Sequence, residues 1–197
     1  TPNGNYAILP QGFGDSGIGG VRPEFTNTLW TIIALKSMTT TADRLFLMNR
    51  SEIRDFYRDL WLAYRNASMK EMREHPNGFK FLPMLMGDDP KWNDPNEMNR
   101  PKVQAAQIYL SHAIYPGTFY DVESDVVQGH IELMKAIVQE DIPAETGWLA
   151  HDAVWAYNAP IVSQTLLWTG QPLLARTFFN GFLNHASPMY AWREEQT

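Results

Sequence analysis

From Glu140 to Gln196 the chain sets carboxylates and indoles beside helix breaks. Glu140, Asp141 and Glu145 surround Pro143, and Glu145-Thr146-Gly147-Trp148 leads into His151, Asp152 and Trp155. Further on, residues 184–196 carry Asn184, His185, Tyr190, Trp192, Arg193, Glu194 and Glu195 with few aliphatic residues. Loops of this composition are poor packing material and good sugar-binding material. Indole faces stack on the apolar faces of pyranose rings, while carboxylates, amides and Arg bond the hydroxyls. Glycosidic cleavage needs one carboxylic acid to protonate the leaving oxygen and a second carboxylate to activate water or attack the anomeric carbon. Glu145, Asp152, Glu194 and Glu195 are therefore the acid and base candidates. Trp148, His151, Trp155, Asn184, Tyr190, Trp192 and Arg193 are the candidates for sugar contact.

Each of these also has a plain structural reading. Trp155 and Trp168 fall within an expected helix, with Trp168 read as core. His151 and Asp152 suit a helix start, where Asp is favoured. Glu194 and Glu195 suit a solvated terminus, and Glu132 a solvent-facing helix surface.

Other motifs fail on context. Gly12-Phe13-Gly14-Asp15-Ser16-Gly17 fits G-x-G-x-x-G, but dinucleotide binding needs a helix opening on the third glycine, and here more glycine and Arg22-Pro23 follow. Gly14-Asp15-Ser16-Gly17 looks like a serine-hydrolase block, which needs a histidine base oriented by a carboxylate. GDS-type esterases carry that base as Asp-x-x-His, and none of the five histidines has Asp three residues before it. His130-Ile131-Glu132 resembles the H-x-E of zinc deaminases, yet the chain has no cysteine to complete the ligand set. Asp88, Asp89, Asn93, Asp94, Asn96 and Glu97 lack the EF-hand spacing and read as a solvated acidic loop.

The elements that must hold these loops are helices. Residues 1–24 form a glycine-rich segment with room for a short strand at 6–9. Apolar periodicity places helices over 25–38 and 51–75, the second strongly amphipathic through Ile53, Phe56, Tyr57, Leu60, Tyr64, Ala67 and Met72. A long polar loop covers 76–100. Helices follow over 101–114, from 124 or 125 to 139, over 149–168 and over 173–183, separated by Tyr115-Pro116-Gly117, Pro143 and Gly170-Gln171-Pro172. The fold class expected is all-α, built of antiparallel helical hairpins in a single domain, 1–197.

Composition narrows the roles. The 197 residues are 44% hydrophobic and 19% charged, a globular balance. A net charge of −6 gives no basic footprint for nucleic acid. The absence of cysteine removes disulfides, thiolate metal sites and Cys nucleophiles. No apolar run is long enough to cross a bilayer, so no membrane role is expected, and no cofactor or metal either. The start, Thr1-Pro2-Asn3-Gly4, shows neither Met nor a signal pattern and reads as a mature, trimmed or partial chain.

The pattern resembles the six-hairpin glycosidases, the (α/α)6 toroids that include trehalases, glucoamylases, processing α-glucosidases and α-L-rhamnosidases. Glu145-Thr146-Gly147-Trp148 followed by Trp155 is similar to the Glu-Ser-Gly-Trp-Asp…Trp signature of trehalases and related α-glucosidases. There the Asp after the Gly-Trp pair is the general acid. Here that position is Leu149, so the acid does not carry over, and Asp152 is a substitute. Tyr190-Ala191-Trp192-Arg193-Glu194-Glu195-Gln196 looks like a loop motif of bacterial six-hairpin proteins, and Gly170-Gln171-Pro172 resembles their hairpin turn. The resemblance spans roughly 101–197. It implies an (α/α)6 glycoside hydrolase acting on oligosaccharides or glycosides with a carbohydrate ligand. Twelve helices exceed this chain, so it implies half a toroid, partnered by the missing half or by another copy. A non-catalytic carbohydrate-binding domain, a toroid epimerase or lyase using His130, His151 or His185, and a structural helical domain remain as alternatives.

Overall fold

The computed structural model describes residues 9, 12–13, 21–22, 24–87, 106–144, 146, 154–194 and 196. Six helices carry the described part: α1 (Thr26–Arg44), α2 (Arg50–Glu71), α3 (Gln107–Ile114), α4 (Asp125–Ala136), α5 (Asn158–Trp168) and α6 (Pro172–Asn184). The all-α expectation holds in this respect. Six two-residue strands make three antiparallel ribbons: β1 (Gly12–Phe13) with β2 (Val21–Arg22), β3 (Arg73–Glu74) with β4 (Lys80–Phe81), and β5 (Val138–Gln139) with β6 (Ile142–Pro143).

The helices form three hairpins, α1–α2, α3–α4 and α5–α6. Their first members lie side by side in chain order, α1 on α3 and α3 on α5. All three run the same way. Trp30 on α1 meets Tyr109 and His112 edge-on at 5.8 and 5.3 Å, and six residues later the Lys36 ammonium reaches the Gly117 carbonyl and the Thr118 hydroxyl. Thr165 on α5 donates to the Ser111 carbonyl at 2.9 Å, and Trp168 packs on Tyr115 at 5.2 Å. The starts of α1, α3 and α5 therefore share one end of the molecule. There the Phe25 amide donates to the Met84 carbonyl, and Gln107 Nε2 donates to the Leu82 carbonyl, both at 2.8 Å. The 82–85 segment thus ties two helix starts together.

One continuous core runs between the layers. Phe25 just before α1, Leu29 and Ile32 of α1, Tyr64 of α2, Leu110 and Ile114 of α3, Ile131 and Leu133 of α4 and Phe178 of α6 are all sealed from solvent. Phe25 and Tyr64 lock edge to face at 5.4 Å. Two ribbons dock on the second-member helices through glycine. A Cβ on Gly129 would collide with the Lys80 carbonyl oxygen, and one on Gly181 with the Asp141 carbonyl oxygen. Only the bare backbone allows β3–β4 to lie on α4 and β5–β6 on α6.

Several expectations need correcting. α1 continues to Arg44 and α2 stops at Glu71. Phe56, expected on the core face, is exposed. The helix expected over 149–168 begins at Asn158. Val154 instead pairs with Gln196 in an antiparallel bridge, and the Trp155 amide donates to Thr146 Oγ1 at 3.1 Å, so neither residue follows a helical path. Trp168, expected in the core, is 52% exposed on the outer edge of α5. Residues 101–105 and the acidic loop, 88–100, lie outside the described residues.

α1 ends in a Schellman turn. The Leu47 amide donates to the Ala42 carbonyl at 3.0 Å and the Phe46 amide to the Asp43 carbonyl at 3.3 Å. The pivotal residue, Phe46, sits at φ +52° with its ring 79% exposed. α5 ends in the same motif with Gly170 at the pivot, φ +79°. A bulky residue in the left-handed region is strained where glycine is not. Phe46→Gly should therefore raise unfolding stability by about 0.5–1 kcal/mol, read as a higher midpoint at constant slope in urea denaturation. An unchanged or lowered midpoint would show that the Phe46 ring contributes packing that outweighs the strain.

Candidate functional site

The carboxylate- and indole-bearing segments leave the helices at the end where α1, α3 and α5 begin. Glu24 bridges to Leu85, and Val154 to Gln196, so the flanks of four chain segments come together there in two pairs. Glu145, Trp148, His151, Asp152 and Glu195 lie outside the described residues. The others are placed as follows.

The turn after α6 is held by its own polar groups. The Ser187 amide donates to the Ala191 carbonyl at 2.8 Å, the Tyr190 amide to the Ser187 carbonyl at 2.9 Å, and the Ala191 amide to Ser187 Oγ at 3.2 Å. This lifts Tyr190, at φ +54°, to 83% exposure. Trp192 folds back. Its ring stacks on Phe182 at 4.5 Å and 3°, and Nε1 donates to the Phe182 carbonyl at 2.7 Å. One indole face is thus occupied by Phe182. Gln196 clasps His185: its Nε2 donates to the His185 carbonyl at 3.0 Å, and its Oε1 accepts from Nδ1 at 2.9 Å. The opposite imidazole nitrogen then faces the Glu140 carboxylate at 3.9 Å. Around this clasp lies a hollow of about 300 Å³ lined by His185, Ser187, Arg193 and Gln196. Asn184 and Glu194 are exposed beside it. Trp155 differs from the open stacking platform expected of it, being only 2% exposed.

Sequence reasoning passed over Glu24. It precedes α1 and is 4% exposed, with Oε1 accepting from Asn27 Nδ2 at 2.7 Å. Its Oε2 is buried without a hydrogen-bond partner among the described residues. Burial raises its pKa above the ordinary carboxylate value, against a smaller opposing effect from Thr26. Thr28 Oγ1, Trp155 Nε1 and Asn158 Oδ1 are likewise buried and unpartnered among the described residues. Buried polar atoms are nearly always bonded, so these four atoms, at the starts of α1 and α5, are groups whose partners the described residues do not supply. The only sequence signal for Glu24 was an acid beside Arg22-Pro23, which reads as helix-start electrostatics.

His130, considered as a proton carrier, is sealed in the core. Nε2 lies 2.8 Å from Ser111 Oγ and Nδ1 3.0 Å from Gln107 Oε1. Gln107 Nε2 is committed to the Leu82 carbonyl, so its Oε1 accepts. Nδ1 therefore carries the proton and Nε2 accepts from Ser111. The Ser-His-Gln arrangement resembles a nucleophile relay, but no path from solvent reaches it, and it serves as a structural pin. No protein-family model, curated protein or solved structure matches the chain.

Burial lowers the His130 pKa to about 4. The unfolded chain, at the ordinary histidine value near 6.5, then binds more protons than the native state between those limits. Stability is full above pH 6.5 and should fall by roughly 3 kcal/mol as the pH drops to 4. His130→Gln should be less stable at pH 7 but show a shallower decline over the same range, measured by urea denaturation at each pH. Equal slopes in both proteins would place the acid sensitivity elsewhere.

Proposed function

We propose that the chain is a glycoside hydrolase-like domain of six-hairpin type, part of an (α/α)6 toroid, acting on oligosaccharides or glycosides by carboxylate acid and base chemistry. The observation that supports this reading is the parallel, chain-order packing of α1, α3 and α5, with a buried carboxyl, Glu24, whose pKa is raised by burial, at the start of α1. In such a ring the first members of successive hairpins form the inner wall, and their starts form the mouth. Leu167 and Leu173, exposed on α5 and α6, and Phe179 beside them, lie where a further hairpin or another copy would pack. A carboxyl whose pKa burial raises is shifted in the direction that suits protonation of a leaving glycosidic oxygen.

The test replaces each carboxylate by its amide: Glu24→Gln, Glu145→Gln, Asp152→Asn, Glu194→Gln and Glu195→Gln. Turnover is measured on aryl glycosides and disaccharides with product analysis, and circular dichroism checks the fold. Loss of about 10²–10⁴-fold is expected in at least two variants that stay folded. Unchanged turnover in all five would overturn the assignment. A carbohydrate-binding domain without catalysis is the second reading. It is favoured by the small hollow after α6, where Arg193 and His185 line the wall and no carboxylate does among the described residues. Saccharide binding without any product would select it.

A further inference from the structure

A second hollow lies on the side of the molecule, between α2 and the start of α4, away from the helix starts that gather Glu24. It holds about 510 Å³, a volume suited to a small molecule. Its lining combines three aromatic residues, Trp61, Phe119 and Tyr120, with three carboxylates, Asp121, Glu123 and Asp125.

The aromatic part of the lining is rigid. Trp61 stacks on buried Tyr64 at 5.7 Å, meets Tyr120 edge-on at 5.6 Å and lies against Phe119 at 5.3 Å. The Tyr120 hydroxyl donates to the Tyr64 hydroxyl at 2.6 Å, which fixes that ring too. The same aromatic cluster already holds one cation: the Lys36 ammonium sits 4.7 Å from the Phe119 ring centre. The carboxylate part is preformed at one point, where Asp121 Oδ1 accepts from the Glu123 amide at 3.1 Å. Three carboxylates against the single guanidinium of Arg65 leave the lining with a charge of −2.

An anion is disfavoured here. The positive start of α4 is already met by its Ser124 cap, whose hydroxyl accepts from the Val127 amide, and by Asp125 in the first turn. A neutral apolar guest would leave the carboxylates without a counter-charge. Aromatic faces together with carboxylates are the surroundings that stabilise an ammonium group, by attraction to the ring quadrupole and by charge. We infer that the hollow between α2 and α4 binds a small organic ammonium ion, stacked on Trp61 and facing Asp121, Glu123 and Asp125. This site is independent of the glycosidase reading.

The test titrates the intact chain with tetramethylammonium chloride and, separately, with putrescine, following ligand proton line widths by NMR. Sodium chloride at matched ionic strength is the control. Saturable broadening is expected with at least one ligand and not reversed by the control salt. The quaternary ion reports recognition by the rings and by charge without hydrogen bonds, and the diamine adds hydrogen bonds to the carboxylates. Trp61→Ala should weaken binding about tenfold. Asp121→Asn with Asp125→Asn should weaken putrescine more than tetramethylammonium. Should Trp61→Ala unfold, the double variant decides, because both of its side chains are exposed. Broadening that does not saturate, that disappears in matched sodium chloride, or that persists undiminished in the double variant overturns the proposal.

Discussion

A neutral imidazole with no exposure to solvent sits where four parts of this molecule meet, and their relative placement follows from how it is satisfied. His130 on α4 bonds Ser111 and Gln107 on α3. Gln107 passes the connection to the Leu82 carbonyl, and the Ser111 carbonyl receives Thr165 from α5. Each of these groups would be costly to bury alone, so the network is stable only when all of it forms. That requirement fixes the register of α3 against α5 and seats the 82–85 segment over two helix starts. Apolar packing alone would tolerate sliding by a turn; a chain of donors and acceptors does not.

With the registers fixed, the three hairpins stand side by side, and their first members point the same way. Four of the buried polar atoms without a partner among the described residues then lie at the starts of α1 and α5, while His112 Nε2 lies in the last turn of α3. Beneath Glu24 and Asn158 lies a dense layer in which Phe25, Leu29 and Ile32 are fully buried. The helices thus have closely packed middles and polar beginnings.

Much of this was legible before any coordinates. The amphipathic period of α2, the breaks at Tyr115-Pro116-Gly117 and Gly170-Gln171-Pro172, and the all-α class follow from patterning and turn chemistry that tertiary contacts leave undisturbed. What misled was context. Val154 and Trp155 have helix-compatible neighbours, yet a bridge to Gln196, more than forty residues away, claims the backbone. Trp168 is apolar and helical, which says nothing of which side of α5 it occupies. Glu24 was invisible as a site residue because its interest arises from burial beneath distant segments, and a lone acid before a helix is commonplace. His130 was noticed for the wrong reason: its chemistry is suppressed by the partners that the fold brings to it.

The two glycine contacts on α4 and α6 have an evolutionary corollary. β3–β4 and β5–β6 touch their helices main chain to main chain, at Gly129 and Gly181. Phe81 and Ile142 add their side chains to the core beneath. The seating therefore needs hydrogen in place of a methyl at those two positions and an apolar side chain at Phe81 and Ile142. The exposed ribbon positions, Glu74, Lys80 and Gln139, can thus drift among diverged descendants at small penalty to the scaffold, much as interchangeable heads fit a common handle.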